Sequence, residues 1–397
     1  MKILLISRNS SHAKYYQKLV KKCQLDARLH ITGRPRLGAL SRFNYLSNFD
    51  MEALIQTHLL RKKARHNVLF SNLIISKLFS LWLRFIESLR YMKFIDLFLC
   101  EKPDKVIVWN GKKLPNQTVA IAANSLGIPV MYFENGLVPN TTCLDPKGVN
   151  FTSSLPRNPN FYLSRALSGQ ALAQIEQVKS HKKRSIDNET LNLPEKYIFV
   201  PFQVPNDTQV VVHSPWIKSM EALFSAVMYA IDNVADKEIK VVFKEHPNWP
   251  KKFTHLHSAH GRALFANGTK ATTLIENAVA TITINSTVGL EALQLGGKLI
   301  TLGEACYALD GMTLKANSQT HLIEQINNLS SWQPNTQLIT AFLDYVNSVY
   351  AIPNAWRRAD TSHFKAIESR ILGTDTFSSE INVSHTVATS VVAEVVY

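Results

Sequence analysis

The sequence predicts an α/β protein built from two doubly wound, Rossmann-like domains. Three observations predict it. Short apolar runs rich in Val, Ile and Phe alternate with longer helical stretches, the pattern of parallel strands covered on both faces. The alternation occurs twice, on either side of a polar segment. The chain has 397 residues, 46% of them hydrophobic, enough for two cores of ordinary size.

The strands of the first half are expected at 2–7 (KILLIS), 105–110 (KVIVWN) and 129–135 (PVMYFEN), with a helix at 117–127 between the last two. In 77–94, Phe79, Trp82, Leu83, Ile86 and Leu89 fall near one helical face while Lys77, Arg84 and Arg90 fall on others. That spacing predicts a core-facing helix with a solvated basic side. The segment 178–196 lacks a sustained apolar period and is the expected linker. Second-half strands are expected at 197–202, 240–245, 280–285 and 298–303. The resulting division is an acceptor-side domain 1–190, a donor-binding domain 191–340 and helices 341–375 broken at Pro353. A Ser/Thr/Val-rich stretch, 376–397, is read as a tail or as a linker to a further catalytic module of the same synthase.

Composition excludes several classes. Charged residues interrupt every window of the roughly 20 residues a spanning helix needs. The net charge of +14 comes without a nucleic-acid-binding motif, so no nucleic acid is expected. The run RKKAR at 61–65 and the basic helix after it are compatible with peripheral contact with an anionic inner membrane. Four cysteines without CxxC spacing point to neither a disulfide framework nor a thiolate zinc site. The N-terminal apolar run is too short for a signal peptide. A cytoplasmic protein is expected.

In open parallel sheets, ligands bind beyond the carboxyl ends of the strands. Here those exits read SRNS, NGKK, ENGLVPN, QVPNDTQ, EHP, NSTVG and GEACY. All carry groups that bind or react, which points to a GT-B arrangement with the two domains facing across a cleft. His246 follows a strand beside Lys244, and Pro247 fixes the turn; an imidazolium there suits a phosphate, although capping a strand end is the plainer use. Asn285, Ser286 and Thr287 precede an apolar helix, and with Gly289 allowing close approach they make an anion site. The cleft is expected to take a nucleotide-activated anionic donor.

The segments FKEHP (243–247), NSTVGLEALQLGGKLITLGEACYALDGMT (285–313) and YFENGLVPNTTCLDPKGVN (132–150) resemble the retaining β-Kdo glycosyltransferases of capsule and O-antigen synthesis. QVPNDTQ (203–209) resembles that group's Gln-and-Asp loop, and the similarity spans most of residues 1–370. The resemblance implies CMP-Kdo as donor, a glycan or lipid-linked acceptor, and a C-terminal helix crossing back to the first domain. With protein cations and helix-end N–H groups to absorb the charge of the departing phosphate, no cofactor and no metal are expected. The resemblance makes Asp207 the candidate nucleophile, where an Asx turn is the plainer use, and Glu134 the acid/base. His246, Lys244, Pro247, Asn285, Ser286, Thr287, Gly289, Gln203 and Tyr307 become donor-side residues. Asn110, Asn135, Gly136, Lys147 and Asn150 would shape the acceptor pocket. Where the related enzymes have Glu-Asp-Gly, this chain has Glu134-Asn135-Gly136, so the central carboxylate is missing. The alternatives are a CDP-glycerol phosphotransferase or sugar-nucleotide epimerase on the same fold, and a catalytically silent glycan-binding module. Asn135 favours the silent module; Glu134, Asp207 and His246 together oppose it.

Overall fold

The computed structural model describes residues 1–33, 37–167 and 193–381. It divides into two units, the first comprising Met1–Ile55, Ile74–Pro156 and the chain from Tyr345, the second Gln56–Leu73 and Arg157–Asp344. Each unit is a Rossmann-like sheet flanked by helices, the expected fold class. The division departs from the boundary read at 190: Pro159–Leu167 and residues 56–73 group with the second sheet. The expected linker 178–196 lies almost wholly outside the described residues.

The first sheet contains β1 (Lys2–Ser7), β2 (Asp26–Ile31), β3 (Lys105–Trp109), β4 (Val130–Asn135) and β5 (Thr142–Asp145), in the order β2-β1-β3-β4-β5. All pairs are parallel except β4 with β5. β1 is a continuous apolar run because alternate side chains point to opposite, equally covered faces. Ile3 and Leu5 pack with Tyr15, Tyr16 and Leu19, while Leu4 and Ile6 pack with Phe94, Ile95 and Phe98. Phe364, Ile367 and Ile371 of the helix Thr361–Leu372 share the core of Ile3 and Leu5, so the C-terminal helix returns to the first sheet. Arg370 anchors it: the buried guanidinium donates to the carbonyls of Leu144, Val349 and Tyr350 and pairs with Asp375. Phe377 lies beneath it, fully buried against Tyr350. The chain therefore has a core contact where its composition suggests a tail; residues 382–397 lie outside the described residues.

The second sheet contains β6 (Tyr197–Pro201), β7 (Lys240–Lys244), β8 (Ala263–Phe265), β9 (Ala280–Thr283), β10 (Leu299–Thr301) and β11 (Leu314–Lys315). Its order is β11-β10-β9-β6-β7-β8, parallel throughout. β2, β5, β8 and β11 are absent from the sequence reading. All four are sheet-edge strands, and most are short or polar enough that periodicity does not mark them.

The helix Leu73–Glu101 corrects another expectation. Leu83, Leu89, Phe94 and Phe98 are buried, but Trp82 is 55% exposed and Phe85 59%. Leu78 and Leu81 are exposed on the same segment, so apolar residues occupy the solvent side as well as the core side. Among the described residues, no helix is long and apolar enough to cross a membrane.

Candidate functional site

In each sheet the strand order reverses once, and the crevice at such a reversal is where α/β sheets bind ligands. In the second unit it lies between β6 and β9. A pair of amides spans it. Gln203 Nε2 donates to Asn285 Oδ1 at 3.0 Å, and Asn285 N donates back to Gln203 Oε1 at 3.1 Å. Asn285 Nδ2 donates to the carbonyls of Gln209 and His213. Both side chains are buried and committed to the protein, so they position the strand exits where sequence reasoning has them touching the donor.

Asp207 stands after β6 as the N-cap of a four-residue helix, Thr208–Val211, its Oδ1 accepting from Gln209 N at 2.9 Å. Thus the plainer capping use holds, and it occupies one oxygen; Oδ2 has no hydrogen-bond donor among the described residues. Two cationic or protonatable groups feel this carboxylate. Arg61 donates through Nε to the Asn206 carbonyl at 3.1 Å, and its interaction with Asp207 opposes the lowering of its pKa by burial. His246, after the neighbouring strand β7, is half-buried; burial lowers its pKa and Asp207 acts in the opposite direction. The ring is therefore neutral near pH 7, a correction to the imidazolium expected above. Its Nδ1 accepts from Asn248 N at 3.1 Å, which places the proton on Nε2. His246 thus offers an N–H donor with no protein acceptor among the described residues. Arg61 was legible only as part of a basic run; 145 positions separate it from its partner Asn206, and no local signal connects them.

Lys244 and Glu245 are more structural than they read. Lys244 Nζ donates to the carbonyls of Asn267 and Thr269 at 2.6 and 2.7 Å, and burial lowers its pKa. Glu245 is buried and accepts from Phe253 N at 2.8 Å. Pro247 is exposed at the turn.

The loop after β9 leads into the helix Val288–Gln294. Ser286 Oγ accepts from Val288 N at 3.2 Å, while Thr287 is exposed with no side-chain capping bond. The fully buried Tyr307 donates its hydroxyl to the Ser286 carbonyl. Gly289 makes room for that tyrosine: a Cβ there would lie 2.5 Å from the Tyr307 hydroxyl oxygen. Close approach is needed, but by a side chain of the same unit in place of the expected donor. Gly289→Ala is expected to cost about 1–3 kcal/mol by overpacking a tight core site, read as a lowered urea midpoint with unchanged slope; an unchanged midpoint would show that the loop gives way freely.

In the first unit the reversal lies between β1 and β3. Asn110, in the left-handed region at φ 62°, closes β3: its N donates to the Phe133 carbonyl at 2.7 Å and its side-chain amide donates to Glu134 Oε2. Glu134 Oε1 accepts from Asn135 N at 2.9 Å and from Asn135 Nδ2 at 3.2 Å. Asn135 Oδ1 in turn accepts from Trp356 Nε1 at 3.0 Å. The asparagine that replaces the expected carboxylate therefore holds Glu134 and the C-terminal Trp356 together. Gly136 closes the β4–β5 turn, where a Cβ would collide with Thr141. Lys147 is exposed, and its N–H caps the buried Asp145 at 2.7 Å; Asn150 turns the chain at φ 56°. Trp356, linked to Glu134 through Asn135, is absent from the sequence reading, as are His12, Trp109 and Arg357, which pack against that indole. His12 stacks on Trp109 with centroids 3.9 Å apart. Burial, then Arg357 and Lys113, push its pKa down to about 4.

The chain is 34% identical over 336 residues to Protein FixF of Sinorhizobium fredii, covering 84% of this chain and 80% of that protein. It is 26% identical to the capsule polysaccharide export protein KpsS of Escherichia coli, over 57% of this chain and 74% of KpsS. Among solved structures it is similar to the Thermosulfurimonas dismutans KpsC β Kdo 2,7 transferase, at 15% identity and TM-score 0.49, covering 94% of this chain and 99% of that one. S. aureus MnaA, in a co-structure with UDP, is similar at 16% identity and TM-score 0.38, covering 95% and 98%. Likeness at these scores bears on neither substrate nor reaction. The family model for capsule polysaccharide biosynthesis proteins matches residues 104–193 and 166–354, more than half of the chain, and with the FixF match this establishes that the chain belongs to the capsule polysaccharide biosynthesis protein family.

Proposed function

We propose that the chain is a retaining glycosyltransferase that moves Kdo from CMP-Kdo to a glycan acceptor in surface-polysaccharide synthesis. The observation that carries the reading is the Asp207–Arg61–His246 group at the exits of β6 and β7, in a chain of the capsule-biosynthesis family. The β-Kdo resemblance of the segments holding Asp207, His246 and Glu134 supports the choice of donor. Asp207 Oδ2 attacks the anomeric carbon, the carbon–oxygen bond to CMP breaks, and the electron pair leaves with the phosphate. The acceptor hydroxyl then attacks the same carbon, the aspartyl ester bond breaks, and Glu134 takes the hydroxyl proton. Two inversions give retention. The Nε2–H of His246 and the Arg61 guanidinium supply hydrogen bonds and charge to the departing phosphate or the Kdo carboxylate. Ser286 and Thr287 contribute from the next exit, and no divalent ion enters the reading.

Incubation with CMP-Kdo and a panel of short glycans, with the product configuration determined by NMR, tests it. A β-Kdo product formed equally well in EDTA is expected. An inverted product, no consumption of CMP-Kdo, or strict magnesium dependence would overturn the corresponding part of the mechanism.

The exposed apolar side of Leu73–Glu101, with Lys77 on the same helix and RKKAR a few residues upstream, supports peripheral attachment to an anionic cytoplasmic membrane surface. Each Lys or Arg near such a surface contributes about 1 kcal/mol, and the contribution is screened by salt. Liposome sedimentation is expected to show binding to anionic vesicles that weakens with salt and falls about tenfold when Leu81 and Phe85 become Glu. Equal, negligible binding to neutral and anionic vesicles would remove this attachment.

A further inference from the structure

The first unit holds side chains that the transfer chemistry leaves unused, and they gather at its own strand reversal. His12 follows β1 and Trp109 ends β3, the two strands between which the order reverses. His12 lies over Trp109 and meets Trp356 edge-on at 5.2 Å. The Arg357 guanidinium carbon is 4.5 Å from the Trp356 ring centre. Trp109 and Trp356 are buried, whereas His12 keeps part of its surface open. Arg357 and Lys113 are exposed, both act on His12, and neither has an acidic partner among the described residues. Through Trp356 and Asn135 the group is hydrogen-bonded to Glu134.

We infer that this group is a subsite for a sugar bearing a carboxylate, with Arg357 and Lys113 binding the carboxylate and His12, on its indole support, lying against the sugar ring. The physical reason is the charge arrangement. Arg357 packs on the Trp356 ring and, with Lys113, acts on His12. Neither cation has an acidic partner among the described residues, so a neutral sugar would leave both unanswered, whereas a carboxylate forms charge-assisted hydrogen bonds with them. An anion there also removes the repulsion that disfavours a proton on His12. That this sugar is the acceptor, its hydroxyl beside Glu134, rests on the transferase reading; the binding itself does not.

The test uses the whole chain with labelled histidines, His12 assigned by His12→Gln, and two probes: methyl β-D-glucuronide and methyl β-D-glucoside. The glucuronide is expected to bind about tenfold or more tighter, as charge-assisted pairing requires. It should shift the His12 ring resonances, and by more than the glucoside does. Arg357→Gln should remove most of the preference and, being at an exposed position, leave the thermal transition in place. Equal binding of both probes, or His12 ring resonances unmoved with glucuronide present, overturns the inference. Release of CMP from CMP-Kdo, measured in parallel without either probe, separates the two ideas. CMP release without glucuronide preference sinks the subsite alone; glucuronide preference without CMP release sinks the transferase reading alone.

Discussion

Asp207→Asn is expected to abolish Kdo transfer, by on the order of 10³-fold or more, because an amide is a poor nucleophile. The structure makes this substitution unusually clean. Asp207 caps the helix Thr208–Val211 through Oδ1, and Asn is as good an N-cap as Asp, so the local fold keeps its hydrogen bond while the attacking oxygen is lost. Asp207→Ala would remove the cap as well, at about 1 kcal/mol, and would confuse the two roles. Binding of CMP-Kdo to Asp207→Asn should persist, since His246, Ser286 and Thr287 remain. Intact-protein mass spectrometry of the unsubstituted chain after brief exposure to CMP-Kdo should show one added Kdo, mapped to the peptide containing Asp207. Near-normal turnover by the Asn variant, or a label on another peptide, would assign the nucleophile elsewhere and leave Asp207 as a cap alone.

Glu134→Gln should slow the second displacement by about 10²–10⁴-fold, the range for loss of a general base, and let the aspartyl-Kdo ester accumulate. Glu134 accepts amide hydrogens on both oxygens, from Asn110 on one side and Asn135 on the other. Gln must turn an N–H toward one of those amides, so the variant loses a hydrogen bond as well as the base. Stability is therefore measured alongside, and Asn110→Gly provides the control, because it removes one of these hydrogen bonds, keeps the carboxylate and tolerates the left-handed backbone at that position. If the Gln variant shows no adduct and transfers at the normal rate, Glu134 is a hydrogen-bonded member of the turn and the base is another group.

Each main strand of both sheets except the edges was legible, because a strand covered on both faces must be apolar along its whole length. The strand exits were legible for the same reason: the apolar run stops where the chain leaves the core, and the first polar residues mark the place. His246, Asp207, Glu134 and the Asn285–Thr287 loop were located in this way. Chemistry at those exits was less legible. Gln203 and Asn285 look like ligand-binding amides in sequence, yet their donors and acceptors are spent on each other and on backbone carbonyls. Gly289 and Tyr307 look like a nucleotide pocket and are in fact packed against one another.

By itself, then, the sequence determined the α/β class, the positions of the principal strands and the exits that carry reactive side chains, since these follow from periodicity along a short stretch of chain. Tertiary structure alone decided which polar groups remain available after internal hydrogen bonding, that His246 is neutral with its proton on Nε2, and that the helix Leu73–Glu101 exposes Trp82 and Phe85. It also brought Arg61 to Asp207, and His12, Trp109 and Arg357 to Trp356, which Asn135 links to Glu134. Those residues lie far apart in sequence, and hydrogen bonding, burial and electrostatic coupling depend on distance through space, which no local pattern records.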